Sequence, residues 1–269
     1  METAITFLKF LVPFAYLATT LVYGRLFFST DESRYALKTR LGLGLSLALH
    51  TSLLVALGYR YDRCPLATFG EGLLFLAYIL GTIHLLSEWL ADSRRLGLFT
   101  LLPTTLCVLV AVFMLQESFA LPPSLRSSSF LVFHIVASLA SYACFSMAAV
   151  LAGLYLVLHR KLKSKNFDIT FRKLPPLVKL DKLSANWSFL GSVTMVLSSV
   201  IGFWWVRKDG LAGMTLKELA IYLVLLVFLG AGVSRRLFNL RGRRHAILIL
   251  VGFLVLLLTN LIGTHGFTA

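Results

Sequence analysis

Eight apolar runs, each about as long as a lipid bilayer is thick, dominate the sequence. They lie near residues 4–28, 41–59, 68–90, 96–115, 129–158, 187–206, 216–234 and 245–264. A hydrocarbon core of about 30 Å requires about 20 helical residues. In lipid a helix satisfies its own backbone polar groups, and these runs lack the alternation that is typical of a strand. The sequence therefore predicts an all-α polytopic membrane protein with about eight transmembrane helices in a single integral membrane domain, residues 1–269.

Composition excludes a water-soluble fold of ordinary kind. Hydrophobic residues make up 58% of the 269 residues and charged residues only 14%, whereas a soluble domain carries roughly 25% charged residues. The first run is long and has no small-residue cleavage site, so we expect a membrane helix there rather than a removed signal peptide. We expect a multi-pass protein of the bacterial inner (cytoplasmic) membrane, in contact with membrane lipids.

The distribution of Lys and Arg predicts the orientation of the chain. If the N-terminus lies outside the cytoplasm, 19 of the 26 basic residues fall at inner helix ends and loops, and six fall in outer loops. Positive residues concentrate on the cytoplasmic side of membrane proteins, so both termini are predicted to lie outside the cytoplasm. The net charge of +14 then comes from basic residues that face the cytoplasmic leaflet, where anionic lipids attract them. We therefore expect no nucleic-acid partner.

Histidines inside the predicted spans are the candidates for chemistry, because ionisable groups in a membrane are costly. His134 and His265 fall in the same outer layer, where two imidazoles could ligate one metal ion, with haem iron the obvious partner. His50 and His84 lie at similar depths in the second and third spans and could share a ligand. The alternative is that each histidine is isolated and hydrogen-bonded to backbone or headgroup.

Other polar residues have structural explanations. Glu71 is expected to pair with Arg60 or Arg63. Glu88 is expected to reach Arg94 or Arg95, or to extend to the membrane surface without a partner. The two histidines at inner helix ends, His159 and His245, are expected at the membrane interface. The three cysteines lack CxxC spacing and are expected to pack as small apolar residues.

The sequence shows no catalytic constellation. It contains no HExxH or Walker motif, no Ser-His-Asp set, and no paired carboxylates within the spans. We therefore expect no enzymatic activity.

The second half of the chain resembles the cytochrome c assembly family, which contains CcsA, CcmC, HemX and YpjD. The resemblance is strongest over residues 130–267. The matching segments are His134-Ile135-Val136-Ala137-Ser138-Leu139-Ala140-Ser141-Tyr142, Gly153-Leu154-Tyr155-Leu156, Leu174-Pro175-Pro176-Leu177, Leu180-Asp181-Lys182-Leu183, Arg241-Gly242-Arg243-Arg244 and Gly263-Thr264-His265-Gly266-Phe267.

The resemblance implies a haem-handling membrane protein with about eight helices. By the family pattern, His134 and His265 are the external axial ligands of haem b, and His50 matches an intramembrane histidine. The family also implies other maturation proteins as partners, of ResB-like or thioredoxin-like type.

Two departures separate this chain from family members that attach or deliver haem. Their tryptophan-rich external segment is replaced here by residues 204–215, WWVRKDGLAGMT. The second intramembrane histidine is missing, since Val224 follows Tyr222-Leu223, and an inner haem would need His84 or another ligand. Both departures favour the HemX and YpjD branch.

Two alternative functions stay open at this point. HemX-type proteins are linked to control of tetrapyrrole synthesis, and the basic cytoplasmic loop 159–186 would then be the contact surface. Independently of that function, apolar residues among the charges of this loop predict a short amphipathic segment on the inner membrane surface. A haem-free small-molecule transporter is supported only by the number of spans.

Overall fold

The computed structural model describes residues 2–91, 94–115, 129–165, 167–208, 222–223, 225–230 and 241–263. Helices account for nearly all of them, and the described ranges contain no strand. In chain order the helices are α1 (Glu2–Phe28), α2 (Ser33–Tyr61), α3 (Phe69–Ala91), a 3₁₀ turn (Arg94–Leu96), α4 (Gly97–Met114), α5 (Ser129–Lys163), α6 (Ile169–Lys173), α7 (Leu177–Lys208) and α8 (Arg243–Gly263).

The predicted all-α membrane architecture is confirmed. Among the described residues six helical segments are long and apolar enough to cross a bilayer, and they correspond to α1, α2, α3, α4 with its preceding turn, α5 and α7. Most of the seventh predicted run lies outside the described residues, although 222–223 and 225–230 are helical. The total of eight spans and the outside position of both termini stay predictions.

Several helices are longer than their apolar runs. The second span was placed at 41–59, but α2 begins at Ser33; the sixth was placed at 187–206, but α7 begins at Leu177. Hydropathy marks only the part of a helix that lies in hydrocarbon, while backbone hydrogen bonding continues into the headgroup region.

Local signals explain where several elements begin and end. The Asp31 carboxylate accepts a 3.0 Å hydrogen bond from the Ser33 backbone N–H at the start of α2. The Asp168 carboxylate accepts from the Phe171 N–H (3.0 Å) and caps α6. Leu174, before Pro175, adopts an extended conformation that ends α6.

The chain divides into two compact units, residues 1–135 and 136–269. In the first unit α1 packs against α2 and α4, and α3 packs against α4 and α2, so the four helices close into a bundle. Each helix runs antiparallel to its sequence neighbour because the connections are short. The single-domain description of the chain stays a prediction.

In the second unit small hydroxyl side chains join α5 to α7. The Ser138 and Ser198 hydroxyls are 2.6 Å apart, and the Ser184 hydroxyl donates to the Ala148 carbonyl at 3.1 Å. Small residues let membrane helices approach closely where no hydrophobic force drives them together. Phe145 also stacks on Phe228, with ring centroids 3.7 Å apart.

Candidate functional site

One face of α1 carries a ladder of polar side chains into the core of the first unit. Tyr16, Thr19, Thr20 and Tyr23 are spaced i, i+3, i+4 and i+7, so they share a helix face, and all four are buried. Each is hydrogen-bonded to another helix. The pairs are Tyr16 with His50 of α2 (3.2 Å), Thr19 with Ser46 of α2 (3.0 Å), Thr20 with Thr105 of α4 (2.8 Å) and Tyr23 with Glu88 of α3 (2.6 Å).

His50 is fully buried beside two tyrosines. Its Nδ1 lies 3.2 Å from the Tyr16 hydroxyl, and its ring meets Tyr16 and Tyr78 edge to face, with centroids 5.6 and 5.4 Å away. Its Nε2 lies beside the Leu74 backbone but has no acceptor with hydrogen-bond geometry. The structure thus gives His50 one firm polar partner, Tyr16, and places the Leu74 backbone close to the ring as a weaker one.

His84 of α3 is buried beside Tyr23, one turn of the α1 ladder beyond Thr19 and Thr20. Its Nδ1 is 2.8 Å from the Thr100 hydroxyl oxygen, which also lies 3.2 Å from the Leu96 carbonyl. Because the hydroxyl proton has that backbone acceptor, the Thr100 oxygen can accept from His84 Nδ1–H. This tautomer leaves the lone pair on Nε2, which has no hydrogen-bond partner, and it is the form in which an imidazole ligates a metal through Nε2.

Glu88 is the most enclosed acid of the first unit, with no exposed surface. Its carboxylate accepts hydrogen bonds from the Tyr23 hydroxyl (2.6 Å) and Arg40 Nε (3.0 Å). Arg94 Nε lies 3.3 Å from the same carboxylate, and His84 Nε2 lies 3.9 Å away. The predicted pairing with Arg94 is confirmed; the contributions of Tyr23 and Arg40 were not visible from sequence position.

Glu71 organises the opposite end of α3. It accepts two 2.8 Å hydrogen bonds from the Arg63 guanidinium, as one of the predicted pairings required. Its carboxylate also accepts from the Thr68 N–H (3.3 Å), while the Thr68 hydroxyl accepts from the Glu71 N–H (3.2 Å). This reciprocal pair is a capping box, so the intramembrane acid starts a helix. Arg60, the other predicted partner, pairs instead with Glu2 at 2.9 Å.

His50 and His84 belong to separate clusters. They contact Tyr16 and Tyr23, which lie seven residues apart on one face of α1, or about 10 Å at 1.5 Å per residue. The described residues contain no group of three or more His, Cys, Asp or Glu side chains that could hold a metal ion. The two imidazoles therefore lie at different positions along α1, and each could contribute one ring nitrogen to a ligand. A ligand shared between them stays a prediction.

The outer histidine pair is only partly within the described residues. His134 lies in the second turn of α5 and is partly exposed. His265, the Val224 position and most of the segment that replaces the tryptophan-rich motif lie outside the described residues. The pairing of His134 with His265 thus rests on the sequence.

Sequence reasoning missed a polar cluster at the basic end of the second unit. His245, expected at the interface, is buried, and its Nδ1 lies 3.8 Å from the Asp181 carboxylate. Asp181 accepts a 3.1 Å hydrogen bond from the Gly242 N–H at the start of α8. Asp181 and Gly242 belong to the sequence segments that resemble the family. Hydropathy does not show that such distant polar residues converge in the fold.

Comparison with known proteins agrees with this architecture. The profile of the family described as cytochrome C assembly protein matches residues 66–264. Protein HemX of Brevibacillus brevis is 27% identical over 201 residues, 72% of this chain and 71% of that protein. Cytochrome c biogenesis protein CcsA of Mesostigma viride is 27% identical over 287 residues, covering 92% of this chain and 90% of that protein. CcsA of Chlorella vulgaris is 27% identical over 279 residues, covering 88% of each.

Proposed function

Because the chain belongs to the cytochrome c assembly protein family, we propose that it binds haem in the membrane and acts in cytochrome c maturation or haem trafficking. The observation that carries the proposal is the family match over residues 66–264, which includes the whole of α5 with His134. The similarity to CcsA over 92% of the chain points the same way. The bacterial cytoplasmic membrane is the proposed location.

The proposed external site consists of His134 and His265. Neutral imidazole is a common axial ligand of haem iron, and two such ligands from separate helices hold the iron without a covalent bond to the porphyrin. The sequence has no CxxC pair for covalent attachment, so haem b is the proposed form. Bound there, haem supplies redox and transfer chemistry, while this chain binds and orients it for ResB-like or thioredoxin-like maturation proteins.

His50 and His84 are the proposed inner ligands. Both are buried and both present an Nε2 without a hydrogen-bond partner, which suits a ligand to iron. Thr100 would hold His84 in the ligating tautomer, as the second nitrogen of a metal-bound histidine usually requires a partner. For His50 the same tautomer requires that the Tyr16 hydroxyl oxygen accepts from Nδ1–H.

The test is the absorption spectrum of the full chain purified in detergent after haem supplementation. We expect a Soret band that is lost or strongly shifted when His134→Ala and His265→Ala are combined. His159→Ala is the control, since that residue lies at the opposite end of α5. A wild-type protein without a Soret band would contradict haem binding; a band unaffected by the double substitution would contradict the external site alone.

A second candidate function is control of tetrapyrrole synthesis, favoured by the similarity to HemX over 72% of the chain. The basic region 159–186, which the sequence predicted as a loop and of which 164–176 lie between α5 and α7, would then contact a cytoplasmic enzyme. Replacing Lys163 and Lys165 by Gln should change the level of tetrapyrrole precursors and leave mature cytochrome c unchanged. Loss of cytochrome c with unchanged precursors would favour the first function.

A further inference from the structure

The segment from the last turn of α5 to the first residues of α7, residues 160–179, is strongly basic. We call it the basic connector. It contains seven Lys or Arg residues and one acidic residue, Asp168. Exposed positive charges extend along it at Arg160, Lys163, Lys165 and Arg172.

The one acidic residue of the basic connector is engaged within it. The Asp168 carboxylate accepts from the Phe171 N–H (3.0 Å) as the cap of α6, and it forms a salt bridge with Lys161 at the end of α5. These two contacts hold the pKa of Asp168 below its usual range, with the Lys161 bond as the larger cause. Asp168 thus neutralises Lys161 and leaves the remaining cations in excess.

Exposed apolar side chains lie between the basic residues of this segment. Phe167 is 48% exposed and Ile169 is 58% exposed. Phe167 is nevertheless held in place, because its ring meets Phe171 edge to face at 4.9 Å and its carbonyl accepts from Arg172 Nε at 3.2 Å. An ordered aromatic beside exposed cations is the composition of a segment that lies in a membrane interface.

The length of α5 sets the depth of the basic connector. The apolar run ends near residue 158, so Arg160 lies about 3 Å and Lys163 about 7–8 Å beyond it along the helix. The headgroup layer of one leaflet is about 5–7 Å thick. The basic connector therefore begins within the layer of lipid phosphates, with Lys163 at its outer edge.

We propose that the basic connector is a binding surface for anionic phospholipid headgroups, in which Lys163, Lys165 and Arg172 pair with phosphates while Phe167 and Ile169 insert between the lipids. The segment is joined at both ends to membrane-spanning helices. Lipid is thus present at a high effective concentration, whereas an acidic soluble protein would have to compete for the same cations. The surface does not depend on haem binding.

Spin-label accessibility in bilayers tests the proposal. The full chain, with Cys64, Cys107 and Cys144 replaced by Ala, carries one nitroxide at Ile169→Cys or, as a matched control in the same segment, at Ser164→Cys. Each is reconstituted in phosphatidylcholine alone and in a mixture with phosphatidylglycerol. We expect the label at 169, but not at 164, to become accessible to oxygen and protected from a water-soluble nickel complex when phosphatidylglycerol is present.

Charge variants complete the test. Each neutralised lysine near the anionic surface should lower the insertion equilibrium about fivefold, so Lys163→Gln with Lys165→Gln should reduce protection of the 169 label. The pair Arg34→Gln and Lys38→Gln removes the same charge from the start of α2 and should leave protection unchanged.

Three results would overturn the proposal. The first is a 169 label as water-accessible as the 164 label in both lipids. The second is a protection that the lysine substitutions leave unchanged. The third is protection of the 169 label only after a soluble cytoplasmic fraction is added. The last result would identify a protein as the occupant. Native mass spectrometry of the wild-type chain, titrated with phosphatidylglycerol, checks the lipid preference without any cysteine substitution.

Discussion

The Tyr23 hydroxyl donates a 2.6 Å hydrogen bond to Oε2 of Glu88, and this bond joins α1 to α3. Arg40 of α2 reaches the other carboxylate oxygen at 3.0 Å. One buried acid thus connects three helices. Such an acid is costly in lipid unless its charge and its lone pairs are satisfied.

Replacing Glu88 by Ala should strongly destabilise the first unit. The substitution removes the acceptor that Tyr23, Arg40 and Arg94 share, and each lost hydrogen bond to a charged group typically costs about 1.5–3 kcal/mol. Arg40 and Arg94 are partly exposed, so water solvates part of the charge that is left. Tyr23→Phe removes only one hydrogen bond and should cost about 1–3 kcal/mol. Thermal unfolding in detergent measures both effects, with Tyr59→Phe as the control because Tyr59 is largely exposed.

The double variant tests whether the Tyr23–Glu88 bond is the energetic link. If it is, Tyr23→Phe combined with Glu88→Ala should cost less than the sum of the single changes, because both remove the same interaction. Strict additivity would show that the hydroxyl and the carboxylate act independently, contrary to the structure.

Gly97 at the start of α4 should tolerate no side chain. A Cβ built there would overlap the Tyr23 ring, so the ring or the helix would have to move. Overpacking of this kind typically costs about 1–3 kcal/mol, so Gly97→Ala should lower the unfolding temperature. Gly72→Ala is the matched control, since nothing lies within 4 Å of its Cβ position. Equal effects of the two substitutions would contradict the close packing of Tyr23 on α4.

The sequence could predict the helices but not this cluster. Apolar runs report which segments lie in lipid, and they located α1 to α5 and α7, although α2 and α7 begin before their apolar runs. Charge proximity along the chain also indicated the pairs Glu71–Arg63 and Glu88–Arg94. The bonds of Tyr23 and Arg40 to Glu88 depend on which faces of three helices meet, and no local pattern encodes that. The burial of His245 beside Asp181 was not predicted for the same reason, since it depends on how α8 packs.

The reactivity of Cys64 should depend on Glu71. Partial burial and, secondly, the Glu71 carboxylate raise the pKa of the Cys64 thiol, while the Arg63 guanidinium lowers it. The thiolate is the reacting form. Glu71→Gln should therefore shift the pH–rate profile for iodoacetamide alkylation of Cys64 toward lower pH, and Arg63→Gln should shift it toward higher pH.

The midpoint of that profile separates electrostatics from loop opening. Loosening of the segment between α2 and α3 would raise the alkylation rate at high pH without the predicted opposite shifts. A Cys107→Ala, Cys144→Ala background restricts labelling to Cys64. Identical midpoints in the wild type and both variants would contradict the electrostatic assignment.

Gly242 should be the most sensitive glycine at the basic end of the second unit. Its φ of +71° is a left-handed conformation that other residues adopt at a cost, and a Cβ there would lie 2.8 Å from the Tyr155 hydroxyl oxygen. Gly242→Ala should therefore destabilise the protein through both backbone strain and the steric clash.

Combining Gly242→Ala with Tyr155→Phe removes the hydroxyl and should recover the steric part of the loss, leaving the backbone strain. Thermal unfolding measures both variants. No recovery in the double variant would show that the strain at Gly242, rather than its contact with α5, accounts for the loss. Asp181→Ala would in either case weaken the start of α8, because its carboxylate accepts the Gly242 N–H.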